Sequence, residues 1–192
     1  MSRAAAPAGW MEEVHLRLEK RVRQVPQTNL ENLRRAGVLL PLFVRDAGLW
    51  VLFTRRTESV EHHRGQISFP GGSEEPKDES LYATALRETQ EELAIAPSDV
   101  IPLGSLSPIV TVTGFYVEPY VAAVPQPYIW QPSAEEIAEV IEAPLAALMD
   151  PAVLERKPMP GREGMILFYH YGDHVIWGAT ARMLAELLDA LR

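Results

Sequence analysis

The sequence predicts an α/β protein in which a mixed β-sheet lies between helices. Strand-like apolar runs and helical patterns are intermixed along the 192 residues, without the regular alternation of a doubly wound sheet. The chain is 47% hydrophobic and 23% charged, a mix typical of a globular protein of this length. The pattern therefore favours a mixed-sheet α+β fold or an α/β/α sandwich, and we predict a single domain over residues 1–192, with residues 1–32 as a helical N-terminal extension.

The composition limits the kinds of function. The chain has no cysteine, which excludes disulfides, zinc–thiolate sites and cysteine nucleophiles. A net charge of −8 argues against a nucleic-acid partner. It does not exclude an anionic small-molecule substrate, because a bound divalent cation reverses the local field. Without a signal peptide or a long apolar run, we expect a cytoplasmic protein that has no membrane contact.

Periodicity and turn residues predict the individual elements. Turn residues at Asp46, Ala47 and Gly48 separate two apolar runs and predict a β-hairpin. Apolar positions at spacings of four, three and four predict a helix that ends before Pro97. The predicted strands cover 36–44, 49–54, 66–69, 100–112, 116–124, 136–141 and 165–171, and the predicted helices cover 10–25, 80–93 and 180–191.

The helix over 80–93 carries three carboxylates on one face. At about 100° per residue, Glu92 lies ~40° from Glu88 and Glu91 lies ~60° to the other side. On its own, such a face is more often solvated surface than a functional site. A glycine turn at Gly71 and Gly72 precedes this helix, and it lets a backbone approach phosphate or metal closely. Together these features favour a cation site, because Mg²⁺ prefers carboxylates and substrate phosphates as ligands.

The segment 72–95 resembles the box of the Nudix hydrolase family. That box has a glycine, five residues, a glutamate, seven residues, and then Arg-Glu-apolar-any-Glu-Glu-any-Gly-apolar. Here Gly72 begins the box, and Glu79 stands eight positions before Arg87. The first loop is one residue longer than the pattern, Thr89 replaces an apolar residue, and Ala94 replaces a glycine. The resemblance implies the Nudix-type α/β/α sandwich and hydrolysis of a substituted diphosphate.

The resemblance also implies a role for each matching residue. Glu88, Glu91 and Glu92 would bind Mg²⁺ or Mn²⁺, helped by a carbonyl of the turn at Gly72. Arg87 would orient these glutamates, and all four side chains are candidate catalytic residues.

The same resemblance implies roles for two further glutamates. Glu79 would pair with Arg87 rather than touch metal. Glu136 is a candidate general base or additional metal ligand, and the alternative is an exposed acid at a strand edge.

The flanks of the box resemble the coenzyme A pyrophosphatase subfamily. The segments 52–57 and 65–72 match its pattern, with Arg56 and Gly65 in place. One departure is Glu61, which stands where the subfamily has an arginine; Arg55 and Arg64 are the neighbours that could compensate. The predicted substrate-binding residues are the following: Arg55, Arg56, Arg64, Gly71 and Phe115.

Coenzyme A is therefore the leading substrate, and its products would be 4′-phosphopantetheine and adenosine 3′,5′-bisphosphate. Another nucleoside diphosphate derivative, such as ADP-ribose, NADH or a dinucleoside polyphosphate, is the alternative. A non-catalytic nucleotide-binding module is the alternative of a different class. The N-terminal helix would either cap the domain or mediate a homodimer.

Overall fold

The structure is a computed structural model that describes residues 9–57, 65–159, 161 and 164–192. Its helices and strands follow one another in a mixed order, as the sequence predicts. They are α1 Trp10–Glu19, β1 Arg34–Arg45, β2 Gly48–Arg56, β3 Ile67–Ser68, β4 Gly71–Ser73, α2 Leu81–Leu93, β5 Ile101–Ser105, β6 Ile109–Val110, β7 Phe115–Ala123, β8 Ile137–Pro144, α3 Leu145–Leu148, β9 Leu154–Pro158, β10 Met165–Tyr171, β11 His174–Trp177 and α4 Gly178–Ala190.

The main sheet has the strand order β3-β2-β1-β7-β5, with β4 added to β1, β6 to β7 and β8 to β2. Strands β1 and β7 run parallel, whereas the other pairs in this sheet are antiparallel. A second, antiparallel sheet has the order β11-β10-β9. The mixed sheet is therefore confirmed.

Helices cover both faces of the main sheet because successive side chains of a strand point to opposite faces. On β1, Leu39 and Phe43 pack in a cluster with the side chains of α2. Leu40 and Leu42 pack in the other cluster, which includes buried residues of α1 and α4. These layers confirm the predicted α/β/α sandwich. The single domain over 1–192 stays a prediction.

The β1–β2 hairpin forms where the sequence predicts it. Arg45 pairs with Gly48 across a two-residue loop. The loop residues Asp46 and Ala47 both have positive φ values, 50° and 63°. This conformation is that of the turns whose twist matches the twist of paired strands.

One predicted helix ends earlier in the structure, and one predicted strand is divided. Helix α1 ends at Glu19 rather than at residue 25, because tertiary contacts hold the chain beyond it: Arg23 donates from Nε to the Leu106 carbonyl oxygen at 3.0 Å. The predicted strand over 100–112 is divided into β5 and β6. The register with β7 shifts between Pro102 and Gly104, and a loop containing Pro108 follows.

Strand β4 is an element that the sequence does not predict. Gly71, Gly72 and Ser73 pair with Val38, Gly37 and Ala36 of β1, so the predicted glycine turn forms a short strand. This pairing fixes the glycines against the centre of the sheet. Among the described residues, no helix has both the length and the apolar character needed to cross a membrane.

Candidate active site

Helix α2 lies directly against β1 at a glycine. A Cβ atom on Gly37 would lie 1.9 Å from the carbonyl oxygen of Leu81, so only glycine permits this approach. The helix begins after Ser80, whose hydroxyl accepts a hydrogen bond from the Ala83 N–H at 3.1 Å. It ends at Ala94, which adopts the left-handed conformation at φ 56°. The position of the acidic helix is therefore fixed at both ends and along its side.

A second glycine makes room for a glutamate. A Cβ atom on Gly72 would lie 2.4 Å from the Cδ atom of Glu88. The carboxylate of Glu88 thus lies directly against the backbone of β4 at Gly72. A glycine is required here by this close approach rather than by an unusual φ value.

Arg87 is surrounded by acceptors. Its Nε and Nη2 atoms donate to the two carboxylate oxygens of Asp78, both at 3.0 Å. Its Nη1 donates to Glu88 at 2.9 Å and to Glu91 at 3.0 Å, and Nη2 also donates to the Ser73 carbonyl. The hydrogen bonds from Arg87 hold the pKa of Asp78 well below its usual range, and the pKa of Arg87 is raised in return. Arg87 thus stays charged and links the box loop to the helix.

The prediction that Glu79 pairs with Arg87 is wrong. The bidentate partner is Asp78, whose side chain is only 4% exposed, whereas Glu79 is exposed. The longer box loop explains the difference. Asp78 is six residues after Gly72, where the family pattern has its glutamate when it is counted from the glycine.

Glu92 occupies a different environment on the same helix. Its side chain is 1% exposed, and its nearest cation is Arg56, with Nη1 at 3.3 Å from Oε1. The Gly71 N–H donates to the other oxygen at 3.4 Å. Burial raises the pKa of Glu92 to about 8; Arg56 opposes this rise, and the carboxylates of Glu88 and Glu136 add to it.

The carboxylates of this region fit a divalent cation chemically. Burial also raises the pKa of Glu88, against the effect of Arg87, and Glu91 and Glu136 contribute to the rise. Hard cations take carboxylate and backbone oxygens as ligands and neutralise such crowded charges. Within the described ranges, no group of three acidic or histidine side chains is already arranged to hold a metal ion. Glu92 and Glu88 instead form ion pairs with Arg56 and Arg87.

Glu136 lies next to Glu92 and is fixed through its backbone. Its carbonyl oxygen accepts from the Thr57 N–H at 2.8 Å, and its own N–H donates to Ser133 at 3.1 Å. Its carboxylate lies 3.4 Å from Nη2 of Arg56, the arginine that also holds Glu92. The residue precedes β8 rather than starting it, and its side chain is 42% exposed. Arg56 therefore bridges a buried and a half-exposed glutamate.

A cavity of about 710 Å³ opens beside these residues, a volume within the range of small-molecule sites. Its walls come from the main sheet, the loop before β7 and the beginning of α4. It brings together six of the predicted site residues, which are Arg56, Gly71, Gly72, Glu88, Phe115 and Glu136.

The other predicted site residues lie elsewhere. Arg55 is not in the cavity lining, and its Nε donates to Glu139 at 2.9 Å. Glu91 is half-exposed and held by Arg87. Arg64 lies outside the described residues, as does Glu61.

Sequence reasoning missed three residues of the site. Asp78 was detectable by counting the box from Gly72 instead of from Arg87. Arg34 and Trp177 line the cavity from β1 and from the residue before α4, and both are remote from the box in sequence. No local signal marks them, because only the strand pairing and helix packing bring them to the cavity.

Comparison with known proteins agrees with this geometry. The model of the NUDIX domain matches residues 33–164, more than half of the chain. A protein of Citrobacter koseri named as an uncharacterized Nudix hydrolase, NudL, is 40% identical over 169 residues, which cover 84% of this chain and 86% of the relative. The protein of the same name from Photorhabdus laumondii is 34% identical, over 87% of this chain and 90% of the relative.

Solved structures show the same fold. A MutT/nudix family protein from Enterococcus faecalis aligns with a TM-score of 0.54 at 18% identity, over 97% of this chain and 74% of that one. A C. elegans Ap4A hydrolase aligns with a TM-score of 0.50 at 20% identity, over 58% of this chain and 80% of that one. The family match, the relatives and the fold lead to one conclusion: the chain belongs to the Nudix hydrolase family, whose members generally use divalent metal ions.

Proposed function

We propose that this Nudix hydrolase splits the diphosphate of coenzyme A with the help of Mg²⁺ or Mn²⁺. Water adds to one phosphorus of the diphosphate, and the bond from that phosphorus to the bridging oxygen breaks. The bridging oxygen leaves with the other half of the substrate. The products are 4′-phosphopantetheine and adenosine 3′,5′-bisphosphate, and the reaction releases a proton at neutral pH.

The observation that carries the proposal is the position of Glu88. Its carboxylate lies on Gly72 and lines the cavity of about 710 Å³, next to Glu136 and close to the buried Glu92. A substrate in this cavity would present its diphosphate to the carboxylates and the backbone of β4. Bound divalent ions supply a polarised phosphoryl group and a water of lowered pKa.

Each residue of the cluster has a role in the proposal. Glu88, Glu91 and Glu92 would hold the cations together with the backbone at Gly72. Arg87 would position the glutamates through the ion pairs that it makes with two of them.

Glu136 and Arg56 would act on the substrate side of the cluster. Glu136 would accept the proton of the attacking water, since its carboxylate lines the cavity and is partly exposed. Arg56 would hold Glu136 and Glu92 and contact a substrate phosphate.

The substrate assignment depends on the segments before the box. Residues 52–57 and 65–72 resemble those of coenzyme A pyrophosphatases, and the cavity places Arg56, Gly71 and Phe115 around one space. Glu61, which replaces an arginine of that pattern, favours the second candidate. In that candidate the enzyme cleaves another nucleoside diphosphate derivative, such as ADP-ribose, NADH or a dinucleoside polyphosphate.

A side-by-side assay tests this proposal. Coenzyme A, ADP-ribose, NADH and a dinucleoside polyphosphate are each incubated with the protein and Mg²⁺ or Mn²⁺, and the products are separated by chromatography. We expect coenzyme A to give the highest kcat/KM and both expected products, and a chelator to abolish turnover. If another compound gives a higher kcat/KM, that compound is the substrate instead of coenzyme A. If no compound shows metal-dependent turnover, the result favours a non-catalytic nucleotide-binding module.

The cytoplasmic location and a homodimer through α1 stay predictions. Helix α1 does pack on the domain, since Val14 and Leu18 are buried and His15 Nδ1 lies 2.8 Å from the Leu103 carbonyl oxygen.

A further inference from the structure

Two arginines line the cavity, and they differ in their partners. Arg56 is held between Glu92 and Glu136. Arg34 has no carboxylate partner among the described residues; its guanidinium carbon lies 4.0 Å from the centre of the Phe115 ring. A guanidinium stacked on an aromatic ring uses its plane for that contact, so its N–H edge remains able to donate.

Arg34 is an exposed residue at the start of β1 and lines the same cavity as Glu88 and Glu136. Alternate residues of β1, which are Arg34, Ala36 and Val38, line the cavity because they share one face of the strand. Gly72 pairs with Gly37, three residues along β1 from Arg34. At ~3.3 Å per residue, the backbone of Arg34 lies roughly 10 Å from this pair. The backbone of β1 therefore places Arg34 apart from the glycine pair against which Glu88 lies.

The charge balance of the lining points to the ligand of Arg34. Of the four charged residues that line the cavity, Glu88 pairs with Arg87 and Glu136 pairs with Arg56, which leaves Arg34 as the lining cation without a carboxylate partner among the described residues. Among ordinary substituents of a nucleoside, a phosphate monoester is the one that matches the planar fork of a guanidinium with two parallel hydrogen bonds.

We propose that Arg34 is a specificity-determining residue that binds a phosphate monoester on the nucleoside half of the substrate. This phosphate is distinct from the diphosphate that is cleaved, and Phe115 holds the guanidinium in place. The inference rests on the proposed function in one respect: in coenzyme A the group would be the 3′-phosphate, which remains on adenosine 3′,5′-bisphosphate after cleavage.

Product binding tests the assignment without turnover. The affinities of adenosine 3′,5′-bisphosphate and AMP are measured by calorimetry on the full chain with Mg²⁺, for the wild type, Arg34→Gln and Arg35→Gln. Arg35 is the matched control, because it neighbours Arg34 but pairs with Glu74 at 3.3 Å and does not line the cavity.

We expect the wild type and Arg35→Gln to bind the bisphosphate about 10- to 100-fold more tightly than AMP, which is the range of a charge-assisted hydrogen-bonded contact. Arg34→Gln should lose this preference and keep its affinity for AMP. Arg34→Lys should be intermediate, because a lysine keeps the charge without the fork. Equal binding of the two nucleotides by the wild type, or an unchanged preference in Arg34→Gln, would overturn the assignment.

Kinetics separate this inference from the proposed function. With coenzyme A and dephospho-coenzyme A as substrates, Arg34→Gln should raise KM for coenzyme A alone. If the wild type and Arg34→Gln cleave both compounds equally well, the role of Arg34 is refuted and the proposed function stands. If the wild type cleaves neither compound but still prefers the bisphosphate in an Arg34-dependent way, the role of Arg34 stands and the substrate is another 3′-phosphorylated nucleotide.

Discussion

The charged side chains on the two sides of helix α2 lie in different environments. On one side, Arg87 has three carboxylate partners, Asp78, Glu88 and Glu91, at 2.9–3.0 Å. On the other side, Glu92 is almost fully buried and its nearest cation lies at 3.3 Å. The hydrogen bonds from Arg87 lower the pKa of Asp78, whereas burial raises the pKa of Glu92. The bidentate pair of Arg87 with Asp78 is therefore a structural clamp, whereas Glu92 is a buried carboxylate with one longer ion pair, an environment that suits a divalent cation.

The largest expected effect comes from removing the charge of the carboxylates that we propose as cation ligands. Glu92→Gln and Glu88→Gln should each lower kcat by about two to four orders of magnitude, because bound cations and the charge they stabilise supply several kcal/mol of catalysis. Steady-state kinetics on the best substrate of the panel checks this. Glu74→Gln removes the same charge from the box loop outside the cavity, and it should keep wild-type kinetics.

Glu92→Gln should also change the pH dependence of stability in metal-free protein. Folding raises the pKa of Glu92 to about 8 from an ordinary value near 4.5, so the fold loses stability relative to the unfolded chain, where Glu92 ionises first, as the pH rises from about 5 to 8. Glu92→Gln removes this cost, and with a chelator present its melting temperature relative to wild type should increase across that window. A wild-type kcat in both Glu92→Gln and Glu88→Gln would contradict the assignment of these two carboxylates to the metal site.

The next effect concerns the glycine that admits Glu88. Gly72→Ala places a Cβ atom within 2.4 Å of the Glu88 Cδ and must displace the carboxylate. We expect kcat/KM to fall by about 10- to 100-fold, together with ~1–3 kcal/mol of stability from overpacking. Gly48→Ala is the matched control, because the nearest heavy atom to its Cβ would lie 3.7 Å away, in ordinary contact. Equal kinetics for the two variants would show that the position of Glu88 does not matter.

Removing the clamp should act mainly on stability. Asp78→Asn takes a buried, charge-assisted partner from Arg87 and should lower the free energy of unfolding by about 2 kcal/mol, with a loss of ~10-fold in kcat. Because folding lowers the pKa of Asp78, its contribution is complete above about pH 4 and is lost as the pH falls below it. Urea unfolding at pH 7 and pH 3 should show the difference between wild type and variant shrinking. Glu79→Gln should change neither the free energy of unfolding nor kcat. A larger effect for Glu79→Gln than for Asp78→Asn would mean that Glu79 is the partner of Arg87.

The smallest expected effect comes from Ala94, at the C-terminal end of α2. Ala94 has φ 56° where the family pattern has glycine, and a side chain in that conformation costs about 1 kcal/mol. Ala94→Gly should therefore raise the free energy of unfolding by about this amount and leave kcat unchanged. Thermal unfolding together with the activity assay checks both expectations. A loss of stability would mean that the αL end of α2 is not strained.

These elements show what a single sequence can predict here. The box glutamates, the glycine turn and the mixed sheet follow from local spacing, because helix geometry and turn chemistry depend on neighbouring residues. The pairing of Asp78 with Arg87 depends on the path of a longer loop, and the end of α1 depends on Arg23 reaching the Leu106 carbonyl. Arg34 reaches the cavity only because β1 pairs with β7 in parallel, a contact between distant segments that no local pattern encodes.

Binding of Mn²⁺ tests the difference between the two sides of α2 most directly. Free Mn²⁺ is measured by electron paramagnetic resonance during titration of the wild type, Glu88→Gln, Glu92→Gln and Asp78→Asn. We predict that Glu88→Gln and Glu92→Gln weaken binding by at least about tenfold and that Asp78→Asn retains it within a few-fold. Unchanged affinity in Glu92→Gln, or a greater loss in Asp78→Asn than in Glu92→Gln, would contradict the assignment of the cation to Glu88 and Glu92.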